Sequence, residues 1–156
     1  KSENSKIKQK NFPLRVIFIG SAHCVDTVQE KNNENFFDES GWNRDSNLDD
    51  PFTMAKVLAE KGLWEFYHSE EAEEVGLEVF SLLFPTLLGP IPHGCEFVMS
   101  QEHLLLSNNS LIFDLLSGYY SSCLPYHLSI LDVRDAVRAI FAALEIEQTN
   151  GRILVT

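Results

Sequence analysis

The sequence predicts an α/β fold built on a parallel sheet, and three observations carry that prediction. Two runs, "LRVIFIGSA" (14–22) and "LEVFSLLF" (77–84), are nearly unbroken in apolar residues, the pattern of strands buried on both faces. Between them, and again near the C-terminus, apolar residues recur at helical spacing. The resulting order, β-α-β-insert-α-β, is that of crossover units, whose ligands sit at the carboxyl ends of the strands.

Taken in order, the run at 14–22 is rich in β-branched residues, and its end is a site candidate. From there to Asp50 the chain is polar and rich in Asn and Asp, and reads as a long surface connection. Asp49, Asp50 and Pro51 form a helix start, with carboxylates at the positive dipole end and Pro near the first helical position. Met54, Leu58, Leu63 and Phe66 fall close to one helix face, and the helix is expected to run to Glu74, with "EEAEE" as a fraying terminal turn. After the strand at 77–84, "PTLLGPIPHG" carries three Pro and two Gly and predicts irregular structure. Residues 110–118 predict a short helix closed by Gly118, 128–131 a brief strand, 133–145 a helix, and "GRILVT" a last strand.

At 156 residues the chain suits one compact domain. Its formal net charge of −11 argues against a phosphate-backbone binder, so nucleic acid is not expected as a partner. The one cationic cluster, "KSENSKIKQK", sets four Lys against one Glu and reads as a solvated helix end or tail. No apolar run has the length of a leader or a membrane span, so no membrane partner is expected. Cys24, Cys95 and Cys123 are odd in number and far apart, which fits reduced cytoplasmic thiols and neither a disulfide frame nor a zinc site. His23 lies two residues after Ser21, within reach of a ligand at that strand end, whereas His68, His93, His103 and His127 are too dispersed to propose a metal. Ser21, His23 and Cys24 sit in "GSAHC", which lacks the second Gly of a nucleophile elbow. "NNS" at Asn108 matches a glycosylation acceptor, a motif common by chance.

Four stretches, "RVIFIGSA", "DDPFTMAKVLAEKGLWEF", "LEVFSLLFPTLLGP" and "YHLSILDVRDAVRAIFAALE…GRILVT", occur in the order found in the extended short-chain dehydrogenases/reductases. Over 14–156 the chain resembles the C-terminal portion of that family, the NAD-dependent epimerase/dehydratase superfamily, and most of all its dihydroflavonol reductase-like branch. The resemblance implies about three main strands of a Rossmann-like parallel sheet over 1–90 and 128–156, with a small substrate-side insert at 91–127. It also implies NADP or NAD as cofactor and a carbonyl or alcohol as substrate. In the family a Ser closing a strand and a Tyr-x-x-x-Lys on the next helix act on the substrate oxygen. Positions i and i+4 share a helix face, so the Lys ammonium lowers the Tyr pKa while holding the cofactor ribose.

Carried over by position, Ser21 matches the Ser and Lys56 the Lys, but Phe52 stands where the family has Tyr. A phenyl ring has no proton to give, and loss of a general acid costs about 10²–10⁴ in rate. Thr53 is not expected to substitute, since one residue along a helix points about 100° away. Alone, Ser21 would be an ordinary strand-end residue and Lys56 a solvated helix charge; the shared pattern singles them out. Pro85, Thr86 and Leu87 match the family loop that lies along the nicotinamide, although the run from Pro85 to Gly89 is one residue shorter than usual. Asp132, Val133, Arg134 and Asp135 match a structural helix start, with Asp135 read as the capping or dipole residue.

A second departure is larger. The family's Gly-x-x-Gly-x-x-Gly turn, which brings amides to the pyrophosphate, is not in this sequence, whose eight Gly are scattered. The expectation is an oxidoreductase fragment that lacks its nucleotide half, is inactive as the isolated chain and binds either cofactor weakly or not at all. Without an upstream neighbour, the edge at 14–20 or the helix at 52–74 is expected to promote self-association. The rival expectation is a non-catalytic binding or interaction module, a pseudoenzyme on the same fold.

Overall fold

A computed structural model describes residues 14–25, 27–29, 35–43, 50–90, 108–122, 128–147 and 150–156. Strand β1 (Arg15–Ser21) pairs in parallel with β4 (Glu78–Phe84), which pairs in parallel with β7 (Asn150–Leu154), giving the sheet order β1-β4-β7. Between β1 and β4 lie helix α1 (Pro51–Tyr67) and the short α2 (Glu70–Glu74). Helix α3 (Asn109–Leu116) follows later, and α4 (Val133–Glu145) leads into β7.

Central β4 explains the unbroken apolar run, because helices cover both of its faces. Phe80, Leu82 and Phe84 pack with Ala136 and Ala143 of α4. Val79 packs with Leu63 and Trp64 of α1 and Ala72 of α2, and Leu83 with Val57 and Cys24. Alternate side chains of a strand thus feed two cores, as in a sheet sandwiched between helices. Arg15 ties β1 to both neighbours. Its guanidinium pairs with Glu78 at 2.7 Å and donates to the carbonyls of Ala143, Leu144 and Ile146 at the C-terminal end of α4, where positive charge complements the helix dipole. Gly20 permits close packing against β4, since a Cβ there would lie 2.6 Å from Leu83 Cδ2. Among the described residues β1 has β4 as its sole strand neighbour.

Four expectations need correction. The helix from Pro51 does not reach Glu74: it ends at Tyr67, and the Ser69 hydroxyl accepts from Ala72 N at 3.3 Å to cap a new helix. Glu70, Glu71 and Glu73 therefore lie in a first turn, where the dipole favours them. The inward face of α1 is Thr53, Val57 and Glu60, whereas Leu58 and Phe66 are exposed; Leu58 is one residue, about 100°, away from buried Val57. The stretch after Ser21 is not a plain connection, for it holds a 3₁₀ turn (Ala22–Cys24) and an antiparallel pair, β2 (Thr27–Gln29) with β3 (Asn35–Phe37). Nor is the Pro-rich stretch wholly irregular: β5 (Thr86–Leu88) pairs in parallel with β6 (Ile130–Asp132). Helix α4 has the expected bounds, and Gly118 closes α3 at φ +74°.

Candidate active site

The parallel register sets Ser21 opposite Phe84, so the carboxyl ends of β1 and β4 finish level and Pro85 leaves beside Ser21. Ser21 is half-buried and caps the 3₁₀ turn, its hydroxyl accepting from His23 N at 3.2 Å. The His23 carbonyl in turn accepts from Asn43 Nδ2 at 2.9 Å. Strand end, turn and the 41–43 segment are thereby fixed together.

The start of α1 faces this turn. Asp50 is its N-cap, accepting from Thr53 N at 3.1 Å, and Pro51 occupies the first turn, where its missing N–H costs nothing. The Asp50 carboxyl lies below the usual carboxylate range, chiefly through hydrogen bonds from the Thr53 hydroxyl and N–H. Phe52 is 58% exposed. Its ring meets the imidazole of His23 edge-on, with centroids 6.2 Å apart, and carries Lys56 Nζ 6.0 Å from its centroid. Thr53 is buried, its Oγ1 3.3 Å from His23 Nδ1. The structure thus groups Phe52 and Lys56 on one helix face and joins them through His23 to Ser21. Thr53 belongs to the cap, through its N–H, and to His23, through its hydroxyl.

Behind this group lies an ion pair that the local pattern does not signal. Glu60 is fully buried and accepts from Ser81 Oγ at 2.5 Å and Arg152 Nε at 2.8 Å. The same guanidinium donates to the carbonyls of Glu39 and Gly41, at 2.5 and 2.8 Å, and stacks 3.8 Å above the Trp42 ring. It also reaches the Cys24 carbonyl at 3.4 Å. One buried charge pair therefore joins α1, β4 and β7 to the segments flanking the site. Burial pushes the Cys24 thiol up, with the Glu60 charge acting in the same direction.

Pro85 and Thr86 are half-buried, and Thr86 N donates to Ser129 O at 3.2 Å, so this stretch is held by pairing with the 129–132 segment. Asn108 Nδ2 donates to Leu87 O and Asn109 Nδ2 to Gly89 O, both at 3.3 Å, tying α3 to β5. Gly89 also allows close approach to α4, because a Cβ there would lie 2.3 Å from Val133 Cγ1. At the start of α4 the cap is Asp132, not Asp135. The Asp132 carboxylate accepts from Arg134 N at 2.8 Å and from Arg134 Nη2 at 2.6 Å, and its carboxyl is held far below the ordinary range by Arg134. Asp135 lies in the first turn, where the helix dipole favours its charge as the alternative reading expected, and pairs with Arg138.

Most of the expected insert (91–107 and 123–127), with His93, Cys95, His103, Cys123 and His127, lies outside the described residues, as does the Lys-rich start. Among the described residues no group of three His, Cys, Asp or Glu could hold a metal, and no helix is long and apolar enough to cross a membrane.

No protein-family profile matches the sequence, and no curated protein matches it. Solved structures do. The chain is similar to Gre2 of Candida albicans, solved in complex with NADPH, with a TM-score of 0.73 and 25% identity over 92% of this chain and 43% of that one. It is similar in fold to the yeast methylglyoxal/isovaleraldehyde reductase Gre2 complexed with NADPH, with a TM-score of 0.64 and 22% identity over the same shares of the two chains. It is more distantly similar to the UDP-glucose 4-epimerase of Thermus thermophilus in complex with NAD, with a TM-score of 0.52 and 18% identity over 90% of this chain and 42% of that one. The chain spans less than half the length of each of these proteins. Its fold is that of the C-terminal portion of the extended short-chain dehydrogenases/reductases, the NAD-dependent epimerase/dehydratase superfamily.

Proposed function

We propose that this chain forms the catalytic-helix side of an NAD(P)-dependent reductase site acting on a small carbonyl or alcohol, with its phenol donor replaced by Phe52. The carrying observation is the grouping of Ser21, at the carboxyl end of β1, with Lys56 and Phe52 at the start of α1. The residues suit the nicotinamide end of such a cofactor: a half-buried ammonium, Lys56, offers three donors to ribose hydroxyls, and the 85–87 stretch adjoins Ser21 across the strand ends. When bound, the cofactor supplies or accepts a hydride. Ser21 orients the substrate oxygen, Lys56 holds the ribose, and Pro85, Thr86 and Leu87 line the nicotinamide. The sequence contains no Gly-rich turn for the pyrophosphate, so the isolated chain is inactive and the nucleotide must be held by other residues.

The test is Phe52→Tyr in the protein as its gene encodes it, assayed with NADPH and NADH against aldehydes, ketones and secondary alcohols. The gain expected is on the order of 10² or more, the low end of a positioned acid's contribution. Ordinary reductase rates from the natural sequence would show that Phe52 costs nothing. The second reading, a non-catalytic module of the same fold, draws on Phe52 itself and on the exposed Leu58 and Phe66 of α1. It gains if both forms bind cofactor and neither reacts.

A further inference from the structure

We infer that His23 delivers the proton for the slow turnover left to the natural sequence, in place of the missing phenol at position 52; this rests on the carbonyl-reducing reading of the site. The imidazole lies edge-on to the Phe52 ring, centroids 6.2 Å apart, and Lys56 Nζ lies 6.0 Å from the same ring centroid, so an imidazole and an ammonium both adjoin the side chain that stands where the family has its phenol. Its backbone is fixed at two points, N–H to Ser21 Oγ at 3.2 Å and carbonyl to Asn43 Nδ2 at 2.9 Å. Its ring is fixed at a third, Nδ1 to Thr53 Oγ1 at 3.3 Å.

In the arrangement proposed, Nδ1–H donates to the Thr53 oxygen and Nε2 is the nitrogen that gives the proton. An imidazole held in one orientation by a neighbouring hydroxyl is prepared to act as a general acid or base. The charged groups facing the turn are Asp50 and Lys56 of α1, with the Glu60–Arg152 pair behind Cys24. In the reduction, the carbonyl carbon takes a hydride, with its two electrons, from a reduced nicotinamide. The C=O π pair moves to oxygen, and that oxygen takes the proton from Nε2. His23 is left neutral with its proton on Nδ1, and being exposed it is reprotonated from water.

The proposal is tested in two ways. In the protein as encoded, His23→Gln is expected to lower carbonyl reduction ~10-fold or more, and to lower it far less when Phe52→Tyr is also present, because the phenol then supplies the proton. Two results overturn the proposal alone: His23→Gln as active as the natural protein while Phe52→Tyr gains, or no turnover by the natural protein beside an active Phe52→Tyr. No turnover by either overturns the reading of the site and the proposal with it. The second test needs no activity. Long-range ¹H–¹⁵N spectra of this chain are expected to place the proton of neutral His23 on Nδ1, a preference that Thr53→Val removes. A proton on Nε2 would overturn the relay.

Discussion

Helix α1 presents two charged residues one turn apart, Lys56 and Glu60, in opposite surroundings. Lys56 leans over an exposed Phe52 ring at the open end of the strands. Glu60 is sealed between α1 and β4 with two partners. The difference separates what holds the site from what acts in it: the supporting shell is buried and mutually bonded, whereas the position that would do chemistry faces outward and depends on one side chain. A change at position 52 is therefore expected to leave the frame intact.

The comparison breaks if the buried end tolerates change. Arg152→Met leaves the Glu60 carboxylate buried without its cation and is expected to cost about 3–5 kcal/mol in urea unfolding. Replacing both, Glu60→Leu with Arg152→Met, is expected to cost less than the single change, since no orphan charge remains. Ser81→Ala removes one of the two partners of Glu60 and is expected to cost about 1–3 kcal/mol, by the same measurement. Phe52→Tyr, at the outward end, is expected to stay within about 0.5 kcal/mol of the natural chain.

Acid sharpens the contrast in the opposite sense. The Asp50 carboxyl is depressed in the folded chain, so its contribution to stability is present above the unfolded value, about 3.9, and is lost as pH falls through the lower folded value. Urea midpoints measured from pH 5 downward are expected to fall less steeply for Asp50→Asn than for the natural chain. Equal slopes would mean that the cap carries no charge-dependent stability.

What could be read from the sequence followed from how local each signal is. Strand β4 and helix α4 announce themselves because burial on two faces, or on one helix face, writes a pattern over seven or more consecutive residues, whereas β1 carries a similar apolar run although most of it is half-buried and Ile19 is exposed. The break between α1 and α2 had a signal, Ser69 followed by acids, that a longer helical pattern outweighed. Pairing of β5 with β6 had none, since three-residue strands beside Pro carry no period. Glu60 on the inward face resembles an interruption until its partner is known, and Arg152 lies 92 residues away. At the candidate site, Ser21, Phe52 and Lys56 stand out in the sequence only through their resemblance to a motif. The tie of His23 to Thr53 was not legible, because it joins a strand end to a helix start across 30 residues of chain.

The most direct test of the central claim, a nicotinamide-dependent reductase site short of one phenol, follows the hydride itself. The encoded protein carrying Phe52→Tyr is incubated with NADPH deuterated at the transferring C4 position and an aldehyde or ketone, and the alcohol is examined by mass spectrometry. The account predicts one deuterium on the carbinol carbon, formed faster than with the natural sequence by on the order of 10². Cofactor that binds and stays unoxidised, or an alcohol without deuterium, would contradict it.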